Sequence, residues 1–200
     1  FIKTTSTMRL LFVLPALFVI AACSPANAPP AGLIAYSCVA GEALHLMAFD
    51  PHPARRSWAT LGGSAQQGET PAQTALREFT EESNCAYTGT EIDIGQLKGP
   101  SISPGVPFHL YAAQVQFKSV DEIAQTRQCV DIERSQWVWV RHFDLMRTLN
   151  QAAEGTLTVP TVQGEPAQVP LWDRGVESLK KALQDGVLPE TINCSVTQLS

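Results

Sequence analysis

Basic charge is scarce in this sequence. Its 200 residues hold 14 Lys and Arg against 19 Asp and Glu, a formal net charge of −5. Binding nucleic acid needs a basic face that releases counterions from phosphates, so no nucleic-acid partner is expected. No apolar run reaches the roughly 18 residues of a membrane-spanning helix. No repeat of fixed period is present, and no low-complexity tract longer than a few residues. Cysteine is sparse, at five, and none stands in a CxxC or Cys/His spacing, so zinc is not expected. What is there suits a soluble domain: 44% hydrophobic and 16% charged residues, in a chain long enough for one core of ordinary size.

The N-terminus departs from this average. Met8-Arg-Leu-Leu-Phe-Val-Leu-Pro-Ala-Leu-Phe-Val-Ile-Ala-Ala-Cys23 has a basic start, an apolar run from Leu10 to Ala22 and small residues at its end. That is the layout of a signal peptide over residues 1–22. The ending Ile20-Ala-Ala-Cys23 resembles the lipobox of bacterial lipoproteins, which implies acylation of Cys23. An uncleaved anchor, or a cut elsewhere, is the competing reading. Phe1 to Thr7 read as translated sequence upstream of a start at Met8. Losing Lys3 and Arg9 with the leader would move the net charge from −5 to −7. Four cysteines remain beyond Cys23, at positions 38, 85, 129 and 194. In an exported chain this even number permits two disulfides, with all three pairings open.

Ser24 to Gly32 is rich in Pro and Ala and reads as a linker, with the folded domain spanning 33–200. Leu33–Ala40 and Leu44–Phe49 predict a hairpin around Gly41-Glu42. Arg56–Leu61 predicts a strand ended by Gly62-Gly63. Thr70 caps a helix, with Pro71 at its first position and Gln73 completing a capping box. Ala72, Ala75, Leu76 and Phe79 form a narrow apolar stripe, and Ser83-Asn84 ends the helix. Further strands are predicted at Glu91–Leu97, Pro107–Phe117 and Gln136–Arg141, with a loop at Gly99–Gly105. Helices are predicted at Asp144–Leu149 and Trp172–Gln184. This interleaving implies an α/β fold with a mixed sheet covered by helices.

The first helix raises a question of charge. At about 100° per residue Glu78 and Glu82 stand nearly above one another, with Glu81 one step round. A solvated acidic face is the common meaning of such a cluster. The alternative is a cation held between the carboxylates, and oxygen ligands without His or Cys favour Mg²⁺ or Mn²⁺.

Context decides between them. Gly63-x5-Glu69-x7-Arg77-Glu78-Phe79-x-Glu81-Glu82-x-Asn84-Cys85 resembles the Nudix box of pyrophosphohydrolases, G-x5-E-x7-R-E-U-x-E-E-x-G-U, where U is apolar. Asn84 replaces the last glycine, a mild change because asparagine tolerates positive φ. The resemblance implies a Nudix-type α/β/α sandwich and cleavage of a nucleoside diphosphate linked to another group. It implies Glu81 and Glu82 as principal metal ligands, with the Gly62 carbonyl nearby. Glu78 would be a ligand or the base, and Glu69 a direct or water-mediated ligand. Arg77 would orient the carboxylates rather than touch substrate. A distal base is sought among Glu133, Asp131, Glu122 and Asp121, with Glu133 preferred.

The remaining signals are weaker. Trp137 and Trp139 share one strand face, where core packing is the default. Arg55 and Arg56 are candidates to reach a phosphate. His45, His52, His109 and His142 read as isolated and form no ligand spacing. Pro100 lies where ADP-ribose pyrophosphatases of the family carry a proline, which tilts the expected substrate toward ADP-ribose or sugar nucleotides. The resulting expectation is an enzyme acting on a small diphosphate, dependent on Mg²⁺ or Mn²⁺, exported and attached to the membrane by its lipid alone. A non-catalytic envelope lipoprotein using the same sandwich as a binding module stays open, as does a cytoplasmic enzyme whose signal is unused.

Overall fold

The first described strands meet at a turn where both residues have positive φ, Ala40 at 50° and Gly41 at 85°. That geometry joins antiparallel neighbours tightly. β1 (Ala31–Val39) and β2 (Glu42–Asp50) pair on either side of it. The computed structural model describes residues 28–88, 91–126, 129, 133–151 and 156–195. Cys23, the leader and Asp131 lie outside these. No helix among the described residues is long and apolar enough to cross a membrane.

β3 (Ser57–Ala59) pairs with β2, and β4 (Leu61–Gly63) pairs with β1. The single strand expected at Arg56–Leu61 is thus two, which change partner at Thr60. Gly62-Gly63 belongs to the second strand rather than ending it. α1 (Pro71–Glu82) follows with the expected capping box. β5 (Lys98–Ile102), β6 (His109–Gln114), α2 (Val120–Gln125), β7 (Trp137–Arg141) and α3 (His142–Leu149) come next. β8 (Thr158–Gln163), β9 (Gln168–Pro170) and α4 (Asp173–Gln184) complete the order. The main path of the sheet is β5-β6-β1-β2-β7-β8-β9. Only β1 and β6 run parallel among the paired strands, so the sheet is mixed.

Both faces are covered, and the strand alternation shows it. Leu33, Leu46, Phe79, Trp137 and Trp139 share one buried cluster on the α1 side. Ile34, Met47, Val138 and Val140 pack on the other face with Leu145 of α3 and Leu179 of α4. The two tryptophans are core residues, as expected. Their indole N–H groups donate to the carbonyls of Glu82 (2.8 Å) and Lys118 (2.9 Å). The α/β/α layering expected from the sequence is the observed one.

Three expectations fail locally. Glu91–Leu97 is no strand: Asp93 and Gln96 form a capping box around a 3-10 turn at Ile94–Gln96. Gly99–Gly105 is not one loop, since its first half belongs to β5, an edge strand that tolerates Pro100. His45 and His142 are not isolated. Buried together, His45 Nε2 lies 2.9 Å from His142 Nδ1 across 97 positions, and His142 Nε2 lies 2.9 Å from the Glu190 carbonyl. All four cysteines beyond Cys23 are paired, as Cys38–Cys194 and Cys85–Cys129.

Candidate active site

α1 lies over β1 and β4, and this contact builds the site. Gly62 N–H donates to Glu82 Oε2 at 2.7 Å. A Cβ on Gly63 would stand 2.4 Å from Glu78 Oε2, so the strand passes directly under that carboxylate only because residue 63 has no side chain. The helix ends as asparagine allows, with Asn84 left-handed at φ 58° and its Nδ2 donating to the Ile123 carbonyl at 3.0 Å.

The box splits into two groups. Glu69, Arg77 and Glu81 form a buttress. Arg77 Nε donates to Glu69 Oε1 (2.6 Å), Nη1 to Glu81 Oε2 (2.6 Å) and Nη2 to the Ser64 carbonyl (2.7 Å). Arg77 Nη2 is also 3.0 Å from Glu78 Oε1. The hydrogen bond from Arg77 pulls the Glu69 carboxyl down to a pKa of about 2, and the Arg77 guanidinium is raised in return. None of these three lines the cleft described below.

The second group lines the cleft. Glu78, Glu82 and Glu133 each bring a carboxylate oxygen within 4.8 Å of the others. Burial pushes Glu82 up to about 7, against the opposing pull of Arg134 and the Gly62 N–H. Burial also raises Glu78, against the pull of Arg77 and with added repulsion from Glu133 and Glu81. Negative charge here exceeds what the neighbouring cations offset. All donors are hard oxygens, so the set fits Mg²⁺ or Mn²⁺.

Of the distal candidates, Glu133 joins the cluster, and it has no hydrogen-bond or ion-pair partner among the described residues. Glu122 instead caps α2, accepting from Ser119 N–H at 2.6 Å, and Asp121 is exposed on the same helix. Two residues escaped sequence reasoning. Arg134 bonds Glu82 Oε1 through Nη2 and Asp50 Oδ1 through Nη1, the latter at 3.0 Å. Asp50 also pairs with Arg55 and accepts from His52 N–H at 2.9 Å. Arg134 reaches Glu82 across 52 positions and Asp50 across 84, and no local pattern announces either link.

Glu78, Glu82, Glu133 and Arg134 form one end of a cleft of about 900 Å³. The cleft is also lined by the Ser103–Phe108 loop, by Trp172 and by the first turns of α4, including Arg174. Arg55 lies over the Trp172 ring at 5.8 Å and also lines the cleft. Arg56 and Pro100 do not.

A mixed sheet between helices thus carries a carboxylate cluster where α1 crosses the glycines of β4. The model of the NUDIX domain matches residues 36–158, more than half of the chain. The chain belongs to that family, the pyrophosphohydrolases whose box its sequence resembles. No curated protein matches the sequence at a significant level. Among solved structures, an Ap4A hydrolase of C. elegans is 22% identical over 62% of this chain and 88% of its own, with a TM-score of 0.44. A Nudix hydrolase of M. smegmatis, RenU, is 15% identical over 84% of this chain and 90% of its own, with a TM-score of 0.48. A MutT/nudix family protein of Enterococcus faecalis is 16% identical over 86% and 67%, with a TM-score of 0.46.

Proposed function

We propose that this cleft hydrolyses the diphosphate linkage of a nucleoside diphosphate joined to a second group, with ADP-ribose or a sugar nucleotide as the favoured type. The observation that carries this reading is the convergence of Glu78, Glu82 and Glu133 at one end of a cleft large enough for a dinucleotide-sized ligand. Glu78, Glu82 and Glu133 would hold Mg²⁺ or Mn²⁺, which supplies charge neutralisation on the diphosphate and acidifies water. Glu133, the exposed and unpaired member of the three, would use its second oxygen to take the proton of the attacking water. Water adds to phosphorus, the anhydride P–O bond breaks, and two phosphate monoesters leave. Arg77 fixes Glu78 and Glu81 from behind the cleft without reaching substrate. Trp172 and Phe108, which line the same cleft, would offer flat apolar walls to a base or sugar.

The site of action belongs to the same proposal: a lipid anchor at Cys23 on the outer side of a bacterial membrane. The pairing of all four other cysteines supports an oxidising compartment. Incorporation of labelled palmitate that disappears in Cys23→Ala tests the anchor.

Activity is tested by offering ADP-ribose, UDP-sugars, NADH and dNTPs with Mg²⁺ and measuring monophosphate release. Glu78→Gln and Glu82→Gln should lower turnover by about 10²–10⁴-fold while the chain stays folded. Wild-type rates no higher than those of the variants across the panel would leave the binding-module reading in its place.

A further inference from the structure

We infer that Arg134 is a built-in counter-ion for the acidic cluster, displaced from Glu82 by an incoming divalent cation and then available, while still paired with Asp50, to bind the substrate's phosphate. The inference rests on the cation-dependent reading of the cleft given above. It starts from the two oxygens of Glu82. Oε2 is taken by the Gly62 N–H, a backbone group fixed in the β1–β4 pairing. Oε1 is taken by Arg134, whose long side chain can move. Only the second partner can yield to a cation.

Charge makes yielding necessary. A guanidinium and a divalent cation drawn to the same buried carboxylate repel each other strongly where water is scarce. The Glu82 and Arg134 side chains are only 2% and 12% exposed. Burial also makes release expensive, unless the freed guanidinium keeps another anion. Asp50 is that anion, 3.0 Å from Arg134 Nη1 and held by the His52 N–H. Asp50, Arg134 and Arg55 all line the cleft beside the carboxylates, so the released group stays at its wall. A planar guanidinium matches two phosphate oxygens at once, which an ammonium does not. The same positive charge therefore neutralises Glu82 in the empty cleft and the substrate's phosphate in the loaded one.

Calorimetry on the purified full chain tests this, first with MnCl₂ alone. Arg134→Gln should bind Mn²⁺ about tenfold or more tightly than wild type, because the competitor is gone. Asp50→Asn should bind it more weakly, because the freed guanidinium loses its second carboxylate. In Mn²⁺-saturated protein, methylenediphosphonate should bind Arg134→Gln at least about tenfold more weakly than wild type. Equal or weaker Mn²⁺ binding by Arg134→Gln would overturn the inference and leave Arg134 as a prop for Glu82. Unchanged diphosphonate affinity would overturn the phosphate role. If Arg134→Gln fails to fold, Asp50→Asn decides, and unchanged or tighter Mn²⁺ binding there sinks the idea. A wild-type chain that takes up no Mn²⁺ would remove the cation-dependent reading as well, whereas uptake by wild type with unaltered variants removes this inference alone.

Discussion

Gly63 and Glu78 occupy the same space to within one atom: a Cβ at residue 63 would fall 2.4 Å from the Glu78 Oε2. The obstacle is the end of a side chain rather than backbone. Gly63→Ala should therefore fold and yet push Glu78 out of register with Glu82 and Glu133. We expect turnover to drop by roughly 10–100-fold with little change in melting temperature. Activity assays beside thermal denaturation separate the two effects.

Arg77 is the hub of three carboxylates that would otherwise repel. Arg77→Ala should loosen the first helix and weaken Mn²⁺ binding together. Arg77→Lys should rescue little, because one ammonium cannot replace three donors aimed at Glu69, Glu81 and the Ser64 carbonyl. Recovery of full activity in the lysine variant would show that charge alone matters there.

Stability should depend on pH with a sign set by Glu82. Its carboxyl has an ordinary value of 4.5 and is held at about 7 in the fold by burial. Between those values the folded chain binds the proton that the unfolded chain has lost, so this group's contribution to stability is lost as pH rises from about 5 to about 8. The loss is at most about 3 kcal/mol. His45 acts in the opposite sense, since burial lowers it from 6.5 to about 3 and stability is lost as pH falls below the higher value. The clean readout is a difference: the melting temperature of Glu82→Gln minus that of wild type should grow between pH 5 and pH 8, and Mn²⁺ should shrink it.

The Cys38–Cys194 bond spans 156 positions and joins β1 to the C-terminal segment. By loop-closure entropy its removal should cost about 4–5 kcal/mol, a large share of the roughly 5–15 kcal/mol that holds a domain together. Urea unfolding of Cys38→Ser/Cys194→Ser should show a much lower midpoint. Neither cysteine lines the cleft, so the remaining folded fraction should keep its specific activity.

Local chemistry made much of this readable in advance. The capping box at Thr70–Gln73, the apolar stripe through Ala75 and Phe79, and the Glu78/Glu82 alignment all depend on neighbours within one or two turns. The tryptophan strand was equally plain from its alternation. What escaped was either weakly patterned or distant. β8 carries Pro160, which weakens any strand pattern, and the short α2 has a single buried residue, Ile123. The proline and glycines of Gly99–Gly105 signal a turn, yet an edge position lets half of that stretch pair as strand. Arg134 stands beside a residue singled out as a candidate base, but its worth comes from Glu82 and Asp50, which only the fold brings near. Glu81 gains a partner that its spacing with Glu82 does not announce, the Arg77 guanidinium one turn back.

Cys85 follows the helix that carries Glu78 and Glu82, and Cys129 lies just upstream of Glu133 and Arg134. Their bond therefore rivets together the two stretches of polypeptide that meet at the reaction centre. A thiol reductant that opened it would lengthen the leash on Glu133 long before the sheet came apart. Turnover in this protein should thus register the oxidation state of its surroundings, and a copy kept in reductant would be a slack version of the oxidised one.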